Sequence, residues 1–111
     1  KEPSFIKKRF LLLIEKGDLD GAAEELNLMD GDYYDIEVIA GGFFLNCLAL
    51  NLNGINQFYR LLFNSLFIPE KPFPEDYQKV KEMLQKLDEH KALSFFDRGI
   101  NHLLGLEAAN Q

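Results

Sequence analysis

Cysteine is almost absent from the sequence, and this scarcity limits the chemistry that the chain can perform. Cys47 is the only cysteine, so an intrachain disulfide is excluded, and we expect a chain that works in the reducing cytoplasm. Its neighbours Asn46 and Leu48 lie in an apolar run without a base that would activate a thiol. We therefore interpret Cys47 as a small buried hydrophobe and not as a nucleophile.

Basic residues are also scarce, with 12 Lys and Arg against 18 Asp and Glu and a net charge of −6. Nucleic-acid binding needs a clustered basic surface that displaces counterions, so we expect no nucleic-acid partner. The charge is unevenly distributed: eight carboxylates and no Lys or Arg lie between Gly17 and Glu37, and Arg60 is the only charge between Val38 and Pro69. This pattern predicts a core in the middle of the chain, preceded by an acidic face that suits a basic protein or peptide.

Long apolar runs are missing as well. The longest, Val38 to Leu50, is interrupted only by Asn46 and falls short of the roughly 20 residues that cross a bilayer. We expect a buried helix there and no association with a membrane.

The residue patterns of known catalytic and ligand sites do not occur. His90 and His102 are the only histidines, and neither has a Cys or a second His at metal-ligand spacing. The glycines do not form a phosphate loop, and the carboxylates between Asp30 and Glu37 do not follow the calcium-loop spacing. We expect no metal, no cofactor and no enzymatic activity.

What the sequence does contain is a succession of helical patterns in a chain of 111 residues, which we expect to form a single domain over residues 1–111. Residues 4–16 carry apolar side chains at helical spacing. Gly17 ends this helix, and Asp18 can cap a second helix with its apolar stripe between Leu19 and Leu26. The two helices should form a hairpin with a tight turn.

The stretch from Tyr33 to Leu52 admits two interpretations. Tyr34, Ile36 and Val38 alternate with polar residues as in a half-buried strand, and the pair Gly41-Gly42 would cost a helix about 1 kcal/mol per glycine. The residues after this pair follow helical spacing instead. We favour a long central helix in which the two glycines let a neighbour approach closely.

Three further helices complete the pattern. Asn53 can cap a fourth helix that is apolar on nearly every side, and prolines make residues 68–73 an extended connector. Pro74 begins an amphipathic fifth helix, and a sixth spans Lys91 to Leu104 with Gly105 as its stop and a frayed tail after it. The predicted fold class is all-α, with about six helices arranged as three helical hairpins.

The first hairpin resembles a tetratricopeptide repeat. Residues 13–23, Leu-Ile-Glu-Lys-Gly-Asp-Leu-Asp-Gly-Ala-Ala, place a Gly-Asp turn before a small residue, as the middle of such a unit does. The likeness covers mainly residues 4–28; the second hairpin lacks the small alanine after its turn, and the third turn has no Gly. The resemblance implies a stack of hairpins whose concave side binds a peptide or another protein, and it implies no catalysis.

Aromatic residues crowd the region next to the acidic face, and six short helices cannot easily bury all of them. An uncovered aromatic strip beside carboxylates would suit a partner with apolar anchors and a basic rim. Asn46 adds a possible polar contact, although an internal hydrogen bond suits it better. The predicted partner-binding residues are Asp30, Asp32, Tyr33, Tyr34, Asp35, Glu37, Phe43 and Phe44.

These observations predict a non-enzymatic module that binds another protein or peptide through this acidic and aromatic face. One alternative is a toxin-neutralising, immunity-type protein, because small acidic helical proteins can block basic enzymes. Another is a regulatory or oligomerisation domain of a longer chain, since the sequence starts at Lys1 and the fourth helix has few polar faces.

Overall fold

The computed structural model describes residues 3–29, 34–65, 78, 81–82, 85 and 90–109, and within these ranges every regular element is a helix. The described part has five continuous helices: α1 (Pro3–Lys16), α2 (Leu19–Leu28), α3 (Ile36–Ala49), α4 (Leu52–Ser65) and α5 (His90–Ala109). The prediction of an all-α chain is confirmed, and the alternative strand at Ile36 and Val38 is wrong. Gln78, Lys81, Glu82 and Gln85 are helical too, but most of the predicted fifth helix and the connector 68–73 lie outside the described residues.

A tight turn joins α1 to α2, as the sequence predicts. Gly17 adopts a φ of 82°, which glycine reaches without a steric penalty, and its amide donates to the carbonyl of Ile14 at 3.0 Å. The carboxylate of Asp18 accepts the amide of Gly21 at 3.0 Å and so caps α2. The predicted stop and the predicted cap are both confirmed.

Helix α3 is shorter than the predicted helix from Tyr33 to Leu52. It starts after Asp35, whose extended backbone lets its carboxylate accept the amide of Val38 at 3.0 Å. It ends because Leu50 turns into the left-handed region at a φ of 55°. The chain then reverses directly into α4.

Asparagine side chains organise this reversal. Asn51, and not the predicted Asn53, caps α4, because its side-chain oxygen accepts the amide of Gly54 at 3.3 Å. Asn46 donates to the carbonyl of Gly42 at 2.7 Å and accepts from Asn51 at 3.0 Å. The internal hydrogen bond expected for Asn46 is thereby confirmed.

Helix α3 lies at the centre of the described fold. It packs against each of the other four helices, most extensively against α5 and α4. From Val38 to Leu45 every residue is buried, so α3 has no face turned to water along this stretch. The core of the described fold therefore surrounds α3, and the other helices pack their apolar sides against it.

The glycine pair in α3 is what lets two neighbours come so close. A Cβ on Gly41 would lie 2.9 Å from Cε2 of Phe10, and a Cβ on Gly42 would overlap the ring of Phe58. The helix accepts the low propensity of glycine because α1 and α4 pack their aromatic rings into the space. The predicted close approach is confirmed.

Helix α5 runs beside α3 in the same direction, since Phe95 stacks on Phe44 and the later Gly99 lies against Cys47. Arg98 lies over the ring of Phe44, 4.7 Å from its centroid, and pairs with Glu15 of α1 at 3.6 Å. Residue Asp97 also meets Lys81 at 3.6 Å, which links α5 to the segment before it.

The predicted stop of this helix at Gly105 is wrong, because α5 continues to Ala109. A glycine ends a helix where its backbone turns left-handed, and Gly17 is the glycine that does so in the described part of the chain. The residues from Leu106 to Ala109 are therefore helical and not a frayed tail.

Candidate interaction surface

The described residues of the predicted acidic and aromatic face do not form one continuous surface. Of its eight residues, Asp30, Asp32 and Tyr33 lie outside the described residues. The other five lie in three different environments: Phe43 and Phe44 in the core, Tyr34 at a helix junction, and Asp35 and Glu37 in an ion-pair cluster.

Phe43 and Phe44 are core residues. Phe43 has no exposed surface and stacks on Phe96 with a centroid distance of 5.2 Å; Phe44 is 7% exposed and stacks on Phe95 at 5.8 Å. A partner could reach neither ring without separating α5 from α3. The central position of α3 buries both rings, and their predicted role as partner contacts stays a prediction.

Tyr34 closes the junction between α2 and α4. Its ring is partly buried and stacks on Phe58 at 5.9 Å, and its hydroxyl lies 3.5 Å from the carbonyl of Leu26. The side chain holds the start of α3 in place and presents little of its ring to a partner.

Asp35 and Glu37 are engaged by Lys7 of α1. The Lys7 ammonium donates to the Asp35 carboxylate and lies 3.0 Å from Oε1 of Glu37. Partial burial works to lower the pKa of Lys7, but the hydrogen bonds and charges of Asp35 and Glu37 outweigh it and raise that pKa. Lys7 thus offsets one of the two negative charges, and the ion pairs join α1 to the start of α3.

A different surface exposes large apolar side chains, and the sequence interpretation missed it. Phe5 and Leu12 of α1 are 50% and 54% exposed, and Leu28 of α2 is 62% exposed. The signal was available: α1 has more apolar residues than one stripe can hold, and Phe5 and Leu12 are seven residues apart, off the buried stripe of Ile6, Phe10 and Ile14.

Charged side chains surround these apolar residues and differ in sign between the two helices. Exposed Lys8, Arg9 and Lys16 follow α1, whereas exposed Asp20 and Glu24 follow α2. The hairpin outer surface is the name used below for the set Phe5, Lys8, Arg9, Leu12, Lys16, Asp20, Gly21, Glu24 and Leu28.

Arg9 connects the two helices across this surface. Its guanidinium lies 5.9 Å from the centroid of the Phe5 ring, and its Nε lies 3.5 Å from a carboxylate oxygen of Glu25. The cation thus contacts the Phe5 ring on its own helix and places Arg9 of α1 beside Glu25 of α2.

A second exposed apolar group lies at the turn between α3 and α4. Leu50 and Leu52 are 55% and 70% exposed, and the residue between them is the capping Asn51. Only uncharged residues adjoin these leucines in the sequence. The turn therefore lacks the charged residues that flank Phe5 and Leu12 on α1.

The thiol of Cys47 is buried between α3 and α5, as predicted. Burial raises the pKa of this thiol to about 12, so the sulfur stays protonated at neutral pH. Across the described ranges no three His, Cys, Asp or Glu side chains gather as a metal site requires. Nor is any helix there both long and apolar enough to cross a membrane.

Comparison with protein-family models, with curated proteins and with solved structures gives no match for this chain. The tetratricopeptide resemblance of residues 4–28 thus stays a prediction from the sequence.

Proposed function

We propose that the chain is a non-enzymatic protein-interaction module that binds its partner through the hairpin outer surface. The observation that carries this proposal is the exposure of Phe5, Leu12 and Leu28, each at half or more of its full value. Large apolar side chains with charged side chains around them have the composition of a protein interface, with an apolar centre and a polar rim.

This proposal keeps the predicted class of function but moves the binding site. Phe43 and Phe44 are buried in the core. Asp35 and Glu37 form ion pairs with Lys7 inside the same chain. The acidic component survives on α2, where Asp20 and Glu24 are exposed. The non-enzymatic part is supported by the protonated, buried state of the one thiol, and a reduced thiol suits a cytoplasmic location.

A helical-repeat relationship would fit the same surface. The α1–α2 hairpin has the Gly-Asp turn and the small Ala22 at its interface that the tetratricopeptide resemblance rests on. We propose that two further hairpins follow this first one along the chain. The second and third turns of this arrangement do not contain the Gly-Asp pair.

The exposed carboxylates of α2 also favour one narrower candidate, an immunity-type protein that covers a basic enzyme. In that case reversing the charge of Asp20 and Glu24 together would weaken binding to the basic partner most strongly at low ionic strength. Binding that is unchanged by the double reversal at every salt concentration would argue against this candidate.

The main proposal is tested by recovering partners from an extract of the source cells on the immobilised full chain. We expect Leu12→Glu to abolish recovery, because it replaces an apolar contact at the centre of the interface with a carboxylate that must give up its water. Leu52→Glu is the matched control, since it places the same charge on an exposed leucine at the α3–α4 turn, 70% exposed against 54% for Leu12. Equal recovery by both variants, with helical content unchanged by circular dichroism, would contradict the proposal.

A further inference from the structure

The two helices of the hairpin outer surface carry opposite charge. Exposed α1 residues are basic at Lys8, Arg9 and Lys16, and its exposed Glu15 is already paired with Arg98. Helix α2 contains three carboxylates and no Lys or Arg. A surface with one basic and one acidic helix side by side can complement a copy of itself, provided that the copies meet with the helices exchanged.

The contact between Arg9 and Glu25 shows which residues of α1 and α2 lie at the same height, measured along the common axis of the two helices. The two helices run in opposite directions and each rises about 1.5 Å per residue, so Phe5 lies close to the height of Leu28. By the same argument Lys8 lies near the height of Glu24, and Leu12 near that of Gly21.

From this arrangement we infer that the partner at the hairpin outer surface is a second copy of the chain, related by a two-fold axis parallel to α1 and α2. The inference rests on the proposed function and names its partner. Such an axis keeps every residue at its height and places α1 of one copy opposite α2 of the other. The two hairpins then form an antiparallel four-helix arrangement.

The register of this pairing matches apolar with apolar and basic with acidic residues. Phe5 meets Leu28 of the second copy, and Lys8 meets its Glu24. Leu12 meets its Gly21, where the capping carboxylate of Asp18 occupies the space that a side chain would take. Because the axis repeats each contact, every favourable pair occurs twice, and the three exposed apolar side chains of each copy are covered together.

Self-association fits this surface better than an unrelated partner of single charge. A purely basic partner would complement α2 but would repel Lys8, Arg9 and Lys16, and a purely acidic partner would repel Asp20 and Glu24. A second copy presents both signs at the required heights.

Sedimentation equilibrium of the full chain, from micromolar to millimolar concentration, tests the inference. The monomer mass is 12.8 kDa, and we expect a reversible approach to twice that mass. Leu12→Glu should raise the dissociation constant by at least about tenfold, whereas the control Leu52→Glu should leave it within about twofold.

A charge exchange tests the register itself. Lys8→Glu and Glu24→Lys should each raise the dissociation constant about fivefold, since each single change creates two like-charge pairs. The double variant restores opposite charges between the copies and should return the constant to within about twofold of the original. Failure of this rescue while the single variants weaken association would overturn the proposed register.

The outcomes separate the inference from the function on which it rests. A chain that stays monomeric at millimolar concentration overturns the dimer. If such a monomer still recovers a partner from extract in a way that Leu12→Glu abolishes, the proposed function stands without the dimer. If Leu52→Glu and not Leu12→Glu dissociates a dimer, both the inference and the proposed surface are wrong.

Discussion

Helix α3 and helix α1 are both rich in large apolar residues, yet the fold places these residues in opposite environments. Every residue of α3 from Val38 to Leu45 is buried, whereas α1 buries Phe10 and leaves Phe5 half exposed. The difference follows from charge. No charged residue interrupts α3 after Glu37, but Lys8 and Arg9 lie between Phe5 and Leu12 and keep that side of α1 in water. Apolar content alone does not mark a binding site; apolar residues on a charged face do.

The largest expected effect tests this comparison with one phenylalanine from each helix. Phe43→Ala should lower the free energy of unfolding by about 3–5 kcal/mol, because it leaves a cavity between α3, α4 and α5. Phe5→Ala should change it by no more than about 1 kcal/mol and act on association instead. Urea unfolding followed by circular dichroism measures both. Equal losses of stability would show that Phe5 is a core residue and would remove it from the interface.

The next largest effect concerns the buried thiol of α3. Burial raises the pKa of the Cys47 thiol to about 12. In the folded chain this thiol therefore keeps its proton at pH values at which it loses the proton in the unfolded chain. The stabilising contribution is complete below about pH 9 and is lost as the pH rises toward 12, at a slope of about 1.4 kcal/mol per pH unit.

The control for this pH dependence is Cys47→Ala, because the other groups that titrate in the range are common to both chains. We expect the stability difference between the two chains to shrink from pH 9 upward in chemical denaturation. A difference that is independent of pH would mean that solvent reaches the sulfur and that α3 is less enclosed than its packing indicates.

One glycine of α3 and one of α5 allow a test in which the two substitutions change the stability in opposite directions. Gly42→Ala should destabilise the chain by about 1–3 kcal/mol, because the added Cβ overlaps the ring of Phe58. Gly105→Ala meets no atom within 4 Å and should stabilise α5 by up to about 1 kcal/mol. Thermal unfolding of both variants is sufficient. If both substitutions stabilise the chain, α4 does not pack against α3 as closely as described.

The smallest effect compares two exposed carboxylates. Asp35→Ala removes the cap of α3 and a partner of Lys7, and it should cost about 1–2 kcal/mol. Asp20→Ala, on the outer side of α2, should change the stability by less than about 0.5 kcal/mol while weakening association. Denaturant midpoints distinguish the two. A cost at Asp20 as large as that at Asp35 would indicate that the outer carboxylates stabilise the chain itself.

Local signals in the sequence were sufficient for the first hairpin and for the presence of helices elsewhere. Gly17 and Asp18 act within one turn of their own positions, so their roles can be predicted from neighbouring residues alone. The cap of α4 could not be predicted from neighbouring residues alone, because Asn51 and Asn53 both suit the position. The choice between them depends on where Leu50 ends α3.

The candidate site could not be predicted at the same level, because exposure depends on which helix lies at the centre. Tyr34 stands beside a carboxylate in the sequence and Phe44 lies in the apolar run Val38 to Leu50, and both rings are covered, Tyr34 by α4 and Phe44 by α5. Conversely, Leu12 lies in a continuous apolar run and becomes exposed because α2 and α3 contact other sides of α1.

Photo-crosslinking tests the central claim, that the hairpin outer surface is where this chain binds. A benzophenone amino acid would replace Leu12 in one variant and the more exposed Leu52 in another, and each would be irradiated in an extract of the source cells. We predict a covalent adduct from position 12 and none from position 52, with the mass of the adduct showing whether the partner is a second copy. Adducts from position 52 alone, or from neither position, would contradict the claim.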